Sequence, residues 1–385
     1  LTLPTPESTD AFNFIGWFTD PKFSAESAVT AESLTDSLIK DSDREIIVYA
    51  RWKMIPAETM TRKVQKPEGD YIDVTNYAAK YNTNDDAGKA LRYQISERSS
   101  WDIETMSDAV PNDAGDDYKA LRAAFIVAGK LYRDSGSKER VTVYVPAGVY
   151  DMEITNQRVW GLQLEEGVEL VMDNDAVFKY TVADDYKEGY FYLLSVADMH
   201  DGQIANVSIR GGQISGPRYT YSGKISENAH GLTILGATDV TISDMRIYDN
   251  HGDGVYIGTK KEDPYYYGCK EVRISYCDVF DNRRNNVSIV DVKGLTIDHC
   301  NITNARGAQP ECGIIIEPNF EKDRTRADAM CGNVTISDCY VAAWDMDVHT
   351  YDGGYATCMC LYTNYNPNDS GYCVVDGLTV TGCTF

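Results

Sequence analysis

Apolar and polar residues follow one eight-residue pattern that occurs six times in the second half of the chain. In each copy, apolar residues stand at offsets 0, 2, 5 and 7, so two short strands turn alternate residues inward and a bend separates them. The copies begin 23 to 44 residues apart, which predicts one coil of a parallel β-helix per copy, with loops in the longer coils. They are Val207–Ile214, Val240–Ile247, Val272–Val279, Leu295–Ile302, Val334–Val341 and Leu378–Phe385.

A second set of short apolar segments lies between these copies and predicts a third strand in each coil. Its members are 231–234, 254–257, 286–289, 313–316 and, more weakly, 359–361. Such a solenoid buries the apolar edge of each coil by stacking it on the next coil. Asn250, Asn282 and Asn304 follow the pattern at similar offsets and are expected to stack in one turn, because Asn tolerates a left-handed backbone. A β-sandwich with regular strands is the alternative.

Four of the ten cysteines occupy the same inward offset of successive copies: Cys277, Cys300, Cys339 and Cys383. We expect them to be buried, reduced and stacked, since free thiols behave as small hydrophobic groups. The segment from Cys358 to Cys360 has no histidine nearby at a zinc-site spacing, so no metal site is predicted there.

The formal net charge of −23 disfavours nucleic acids and anionic membranes as partners, because both bind basic surfaces. It also mildly disfavours a polyanionic glycan. Two local basic pairs, Lys260-Lys261 and Arg283-Arg284, can override the global field at short range. The sequence has no run of eighteen apolar residues and does not begin with Met, so we expect a soluble fragment or processed form.

Residues 1–54 differ in character from the rest and form the first predicted domain. The aromatic segment from Phe12 to Asp20 and the closing segment from Val48 to Trp52 resemble the Listeria–Bacteroides cell-wall repeat, without its first strand. This resemblance implies a small β-grasp-like repeat on a secreted or wall-attached bacterial protein, with the bacterial cell wall as a possible partner through neighbouring repeats. Residues 55–70, which contain Pro56 and Pro67, are predicted to be a linker.

Residues 71–385 form the second predicted domain, whose beginning resembles the pectate-lyase superfamily of right-handed parallel β-helices. The resemblance rests on a strand from Tyr71, the pair Asp116-Asp117 and the segment from Val141 to Tyr150. It implies a helix over 116–133 that caps the solenoid, with cap and insertion in 71–139 and coils in 140–385. Residues 83–112 are an insertion without a counterpart. The predicted fold is therefore all-β: a right-handed parallel β-helix with a capping helix and a small N-terminal β repeat.

Candidate site residues, of which His230, Asp253 and Glu311 are the candidate catalytic ones, stand just before the third strand of successive coils, where a solenoid holds side chains about 4.8 Å apart. These residues are His230, Asp253, Arg284 and Glu311. Asp253 and Glu311 lie two coils apart, about 10 Å, which is within side-chain reach of the ~6.5–9.5 Å carboxyl separation of inverting glycosidases. The alternatives are roles without chemistry: Asp253 stabilises a turn, His230 caps a strand, and Glu311 is an exposed loop acid.

This arrangement resembles the strand-entry site of polygalacturonases, but only Asp253 falls on a matching aspartate. His230 and Asn285 replace the others, and no Arg-x-Lys follows. Glu317, at the far end of a third strand, is a further candidate acid, with bonding of its own turn as the alternative. The predicted substrate-binding residues are Arg283, Arg284, His251, Asn285, Lys260, Tyr265, Tyr266 and Tyr267.

The chemistry expected of these residue types is carbohydrate binding and cleavage. Arginines bind carboxylates or sulfates, and the flat faces of tyrosine rings pack on sugars, so 27 tyrosines against 10 phenylalanines suit a wet groove. The sequence thus predicts a secreted or cell-surface glycoside hydrolase that acts on a polysaccharide or oligosaccharide without a cofactor. A polysaccharide lyase or uronate epimerase, with Ca²⁺ in the case of a lyase, and a non-catalytic adhesin are the alternatives.

Overall fold

The computed structural model describes residues 12–19, 28–29, 48–54, 59–75, 108–113, 115–197, 203–221, 223, 227–262, 265–318, 330–342, 357–361 and 374–385. Three parallel sheets run along the molecule, and the chain visits them in rotation, one strand per sheet in each coil. This is the predicted right-handed parallel β-helix. Within the described residues, no helix has the length and apolar character needed to cross a membrane.

The first sheet has nine strands and carries the first half of each eight-residue pattern. Val240, Val272, Leu295, Val334 and Leu378 lie in register across five of its strands, so equivalent apolar positions stack in the core. The strands are β4 (Ile72–Asp73), β5 (Val141–Val145), β8 (Val168–Met172), β11 (Ile204–Arg210), β14 (Ala237–Ser243), β19 (Cys269–Ser275), β22 (Val292–Asp298), β25 (Met330–Ser337) and β28 (Val374–Thr381).

The second sheet has seven strands, which carry the second half of the pattern after the bend. They are β6 (Gly148–Ile154), β9 (Ala176–Val182), β12 (Gln213–Ser215), β15 (Arg246–Tyr248), β20 (Asp278–Phe280), β23 (Asn301–Thr303) and β26 (Tyr340–Ala342). The third sheet, which positions the candidate site, holds β7 (Leu162–Gln163), β10 (Phe191–Val196), β13 (Ala229–Leu235), β16 (Val255–Gly258), β21 (Val287–Ile289), β24 (Cys312–Ile316) and β27 (Thr357–Leu361).

Helix α1 (Tyr118–Asp134) lies where the sequence predicts the cap and packs on the first coils. Its buried face includes Leu121, Phe125 and Ala128. Tyr132 lies so close to Gly167 that a β-carbon there would stand 2.0 Å from the tyrosine ring, and this close approach requires glycine. The helix begins two residues later than predicted because Asp117 precedes it, accepting a hydrogen bond from the Val110 amide at 2.8 Å.

The described part of the predicted linker is attached to the side of the solenoid, and we call residues 59–66 the strap. The Met60 amide donates to Asp278 Oδ1 at 3.0 Å, the Arg62 amide to Asp244 Oδ1 at 3.0 Å and the Val64 amide to Asn174 Oδ1 at 2.7 Å. Asn174 and Asp244 lie at turns between first- and second-sheet strands, and Asp278 begins β20, each in a different coil. The strap therefore crosses several coils on its way to β4.

The N-terminal residues form a separate three-stranded antiparallel sheet in the order β2-β1-β3. Its strands are β1 (Phe12–Phe18), β2 (Ala28–Val29) and β3 (Tyr49–Met54). The two strands predicted from the aromatic segments are therefore present, while the kinship with the cell-wall repeat stays a prediction. Most of the predicted insertion, residues 83–107, lies outside the described residues.

The asparagine stack differs from its prediction by one residue. Asn250 Nδ2 donates to Asn282 Oδ1 at 2.7 Å, as expected, whereas Asn304 Nδ2 donates to Asp281 Oδ1 at 2.9 Å. Asn304 stands one position closer to the start of its copy of the eight-residue pattern than Asn250 and Asn282 do. It belongs to an adjacent column with left-handed backbone, whose φ angles are 58° at Asp249, 58° at Asp281 and 59° at Asn304.

The cysteine column is stacked and free of disulfides, as predicted, for its buried members. Cys277 and Cys300 have no exposed surface and Cys339 is 2% exposed. The Cys277 amide lies 3.5 Å from Cys300 Sγ, and the Cys300 amide 3.4 Å from Cys339 Sγ. The prediction of burial is wrong for Cys383, which is half-buried because it follows β28, the outermost strand of the first sheet.

Candidate active site

The residues that precede the third-sheet strands do stack, but in two adjacent columns. Leu232, Val255, Val287 and Ile314 are paired in register. Counting back two residues from each places His230, Asp253, Asn285 and Cys312 in one column, and counting back three places Arg284 and Glu311 in the neighbouring one. The prediction of a single column is therefore wrong for Arg284 and Glu311, since the third-strand segments that begin at 286 and 313 are directly preceded by Asn285 and Cys312.

Asp253 is the centre of a polar cluster and is completely buried. Arg284 Nη1 donates to Oδ1 at 3.2 Å and to Oδ2 at 3.0 Å, the Asn285 amide donates to Oδ1 at 3.0 Å, and Ser288 Oγ donates to Oδ2 at 2.8 Å. These donors satisfy both oxygens of the buried carboxylate. Because no oxygen is exposed, Asp253 acts on the surface only through Arg284.

His230 is buried beside Asp253, and its ring lies between two tyrosines. Its centroid is 5.6 Å from that of Tyr192 and 4.5 Å from that of Tyr256, with nearly parallel planes. The Asp253 amide donates to Nδ1 at 3.1 Å, so the ring carries its proton on Nε2. Burial lowers the pKa of His230 to about 4; Arg284 lowers it as well, while Asp253 opposes them. His230 is therefore neutral at pH 7.

Arg284 connects the buried carboxylate to the surface. Its side chain is 13% exposed, and Nη2 lies 3.2 Å from Oε2 of Glu227, whose side chain is 73% exposed. Burial lowers the pKa of Arg284, but the carboxylates of Asp253 and Glu227 raise it by more. The guanidinium is thus a fixed positive charge between two carboxylates.

Glu317 is a third acid that interacts electrostatically with Arg284, although it stands at the carboxyl end of the third-sheet strands and Asp253 at the amino end; it is half-buried. It follows β24 in register with Val290 and Gly258, and its amide donates to the Ile289 carbonyl at 2.8 Å. Burial raises the pKa of its carboxyl above the ordinary value; Arg284 opposes this, and the charges of Glu227 and Asp253 reinforce it. The cluster thus contains two accessible carboxylates in different environments.

The sequence analysis did not identify Glu227. This residue lies between β12 and β13, in a loop that has no repeat pattern, and it reaches Arg284 of a later coil. The only feature of the sequence that pointed to Glu227 is that it stands three residues before the candidate His230. Residues on loops carry no periodicity, so their place in a site is found by geometry.

Several predicted site residues lie apart from this cluster. Glu311 Oε1 accepts from the Gly307 amide at 2.7 Å and so closes its own turn; the residue is half-buried rather than an exposed loop acid. Arg283 faces away from Arg284 and donates from Nη1 to the His251 carbonyl at 3.3 Å. The two arginines therefore do not form one clamp.

His251 and Asn285 are buried. Burial, together with Arg283 and Arg218, lowers the pKa of His251 to about 3, so it is not a proton carrier near neutral pH. Asn285 donates from Nδ2 to Ser288 Oγ at 3.0 Å and accepts from the Cys312 amide at 3.0 Å. Both residues serve as internal supports of the corner that holds Asp253.

The predicted tyrosine loop is a β-hairpin of β17 (Lys260–Glu262) and β18 (Tyr265–Tyr267). It follows the carboxyl end of β16, whereas Asp253 precedes the amino end of that strand. Lys260 is 6% exposed. The hairpin is thus placed at the end of the third sheet where Glu317 stands, rather than beside Asp253.

One group in the described part of the chain has metal-ligand geometry. Asp298, His299 and Asp338 each offer a ligand atom, and these atoms lie within 4.8 Å of one another. Asp298 is already bonded to Arg273 at 2.9 Å and to Ser337 Oγ at 2.9 Å. The group lies at turns after first-sheet strands, on a different edge from Arg284.

Sequence comparisons agree with the fold. The family model for the right handed beta helix region matches residues 197–319 and 224–385. Two Bacillus subtilis (strain 168) proteins are similar: the uncharacterized protein YclG, 31% identical over 205 residues, and the SPbeta prophage-derived uncharacterized protein YorA, 31% identical over 194 residues. These matches cover 49% and 46% of this chain, and 34% and 31% of the relatives. The chain thus spans about a third of the length of these curated relatives.

Solved structures with the same architecture share little sequence with this chain. The Geobacillus virus E2 protein ORF18 is 15% identical, with a TM-score of 0.45 over 87% of this chain and 58% of its own. A putative glycosyl hydrolase from Parabacteroides merdae is 14% identical, with a TM-score of 0.39 over 72% and 93%. An iota-carrageenase complexed to iota-carrageenan fragments is 14% identical, with a TM-score of 0.44 over 62% and 48%. At this identity, such likeness concerns the fold alone.

Proposed function

We propose that this right-handed parallel β-helix protein is an extracellular glycoside hydrolase that cleaves a neutral polysaccharide or oligosaccharide at the edge of its third sheet. The observation that carries the proposal is that Arg284 contacts the carboxylate of Glu227 and also acts on the pKa of the Glu317 carboxyl. Glu227 is exposed, while Glu317 is half-buried with a raised pKa. A carboxyl group whose pKa is raised by its surroundings is suited to act as a general acid.

Glu317 is the candidate general acid. A protonated Glu317 gives its proton to the glycosidic oxygen as the bond from that oxygen to the anomeric carbon breaks. Glu227 is the candidate for the second carboxylate, which either removes a proton from the attacking water or attacks the anomeric carbon itself. In both cases the net reaction adds one water across the bond.

Arg284 and Asp253 are positioning residues in this scheme. Arg284 holds Glu227 through Nη2, and Asp253 holds Arg284 through two hydrogen bonds from Nη1. A guanidinium bound to both carboxylate oxygens has little freedom to rotate. Glu227 is thereby oriented by a chain of contacts that begins in the core.

The charge of the cluster favours hydrolysis of a neutral glycan over elimination from a uronate. A lyase needs a cation that neutralises the substrate carboxylate, but Arg284 is already paired with two carboxylates. Three acids and one arginine leave the cluster negative when Glu317 is ionised, and the whole chain carries −23. The negative charge of the cluster and the negative charge of the whole chain both repel an anionic sugar.

The test is a screen of neutral and acidic glycans for new reducing ends, with the wild-type chain, Glu317→Gln and Glu227→Gln. Glu153→Gln, an exposed glutamate on β6, is the matched control. Loss of a general acid or base lowers turnover by about 10²–10⁴-fold. We expect that loss in both site variants and none in the control, and we expect chelators to leave the rate unchanged.

Three results would overturn the proposal. An unsaturated uronate product, or a requirement for Ca²⁺, would make the protein a lyase. Binding of a glycan without turnover would make it an adhesin. Full turnover in both site variants would place the chemistry elsewhere on the solenoid.

A further inference from the structure

A cluster of three aromatic rings lies on the third-sheet side of the early coils, and we call Trp160, Tyr190 and Tyr192 the aromatic cradle. The Trp160 centroid is 5.0 Å from that of Tyr192 and 6.3 Å from that of Tyr190, and the two tyrosine centroids are 6.1 Å apart. The ring planes meet at 44°, 72° and 53°. The three rings are therefore not stacked on one another, although Tyr192 also stacks on His230 with a centroid distance of 5.6 Å.

The cradle is continuous with the candidate active site. Leu162, Leu194 and Leu232 are paired in register, so counting back two residues places Trp160 and Tyr192 in the column of His230 and Asp253. Trp160 and Asp253 are three coils apart, which corresponds to about 14 Å along the solenoid at ~4.8 Å per coil. The cradle and the Arg284 cluster therefore lie along one line parallel to the solenoid axis.

The chemistry of the cradle suits an uncharged sugar ring. All three aromatic residues are half-buried, so each keeps part of its surface in contact with solvent. Burial raises the pKa of Tyr192 to about 12, so its hydroxyl is neutral over the physiological range. The apolar faces of pyranose rings pack on tyrosine and tryptophan, whose polar edges remain available for hydroxyl groups.

We propose that the aromatic cradle is a distal subsite that holds a neutral sugar unit of the same glycan whose bond lies at Glu317. This inference rests on the proposed function. A chain that reaches from the cradle to Glu317 spans several coils, so the substrate is an extended oligosaccharide or polysaccharide rather than a disaccharide. Binding at the cradle also fixes the direction of the chain along the third sheet.

The test uses the full-length chain with Glu317→Gln to prevent cleavage, and neutral glucan, mannan, galactan and xylan oligosaccharides of increasing length. Calorimetry measures affinity, and tryptophan emission provides a second signal. Trp160→Ala and Tyr190→Ala are the site variants, and Trp160→Phe retains a ring. Tyr340→Ala, an exposed tyrosine on β26, is the control. Thermal melts identify any variant that fails to fold; Tyr190→Ala then stands in for Trp160→Ala, and Trp160→Ala for Tyr190→Ala.

For the longest oligosaccharide that binds, we expect Trp160→Ala and Tyr190→Ala to lower the affinity about tenfold relative to the Glu317→Gln chain. Trp160→Phe should lower it less. The emission change is expected to disappear with Trp160. Short ligands that reach only one site should not show this loss. Equal affinity of all variants for long ligands would overturn the cradle while leaving hydrolysis intact. Cradle-dependent binding in a wild-type chain that cleaves none of these glycans would overturn the proposed function alone.

Discussion

Arg284 Nη1 lies 3.0 Å from Oδ2 of Asp253, and the same guanidinium lies 3.2 Å from Glu227 through Nη2. One arginine thus joins a carboxylate with no exposed surface to a carboxylate that is 73% exposed. Removing one partner of a buried ion pair leaves an uncompensated charge, so the two buried groups depend on each other.

Asp253→Asn is expected to destabilise the protein through Arg284. The substitution keeps the shape and the bond from the Asn285 amide, but it removes the charge that Arg284 faces. Breaking a buried pair costs about 3–5 kcal/mol, and the remaining contact of Arg284 with Glu227 favours the lower value. Urea unfolding measures this cost for Asp253→Asn, Arg284→Gln and the double variant.

The double variant decides whether the two residues act as a pair. If they do, it loses clearly less than the sum of the two single losses. Additive losses would mean that Asp253 stabilises the corner through Ser288 and Asn285 instead. Turnover adds a second check, because a positioning role lowers the rate in both single variants.

The sequence predicts the solenoid well because every coil must bury the same apolar positions. It predicts part of the site for the same reason: His230, Asp253 and Arg284 stand at one corner of successive coils. It does not predict the burial of Asp253, since that depends on Ser288 and Asn285 of the next coil. Nor does it separate Arg284 from Arg283, which face opposite ways although they are neighbours in the chain.

Glu317 is expected to titrate above an ordinary glutamate. Its carboxyl is protonated more readily in the folded than in the unfolded chain, because burial disfavours the charged form. Folding stability from this group is therefore fully present below the unfolded pKa of about 4.3 and is lost as pH rises through the folded pKa. A general acid with this property keeps its proton, and the enzyme its activity, to higher pH.

Carbon NMR of labelled glutamate carboxyls measures this pKa, with Glu317→Gln assigning the signal. Glu227→Gln is expected to lower the pKa of Glu317 and Arg284→Gln to raise it, because each removes a charge with the opposite effect. Unfolding at neutral pH should show Glu317→Gln equal to or more stable than wild type, with Glu153→Gln as the control. If Glu317 titrates with the pKa of an ordinary glutamate in the wild-type chain, in Glu227→Gln and in Arg284→Gln, it is not the general acid.

The cysteine column is expected to react in the order of its burial. Burial raises the pKa of Cys300 well above that of a free thiol, and Cys277 has no exposed surface. Cys383 is half-buried, so an alkylating reagent should modify it first. Mass spectrometry of peptides labelled with and without denaturant measures the order. Native labelling of Cys277 or Cys300, or a disulfide between them, would contradict the stacked thiols.

The strap is expected to stabilise the solenoid most at the pH where Asp244 is charged. Burial raises the pKa of Asp244, but hydrogen bonds from the Arg62 side chain and amide lower it by more, at distances of 2.8 to 3.0 Å. The stability from this contact is present above the unfolded aspartate pKa of about 3.9 and is lost as pH falls through the folded pKa. Asp244→Asn keeps the left-handed backbone, since Asn tolerates it, and removes the charge.

We expect Asp244→Asn to lower the free energy of unfolding by about 1–2 kcal/mol at neutral pH, because Arg62 is largely exposed and solvent weakens the pair. Asp239→Asn is the matched control, with the same backbone conformation and an exposed carboxylate. Urea unfolding at neutral pH and below the aspartate pKa of about 3.9 gives the comparison. The two variants should differ at neutral pH and converge in acid. Equal stability of both variants at neutral pH would mean that the strap contributes nothing to the solenoid through Asp244.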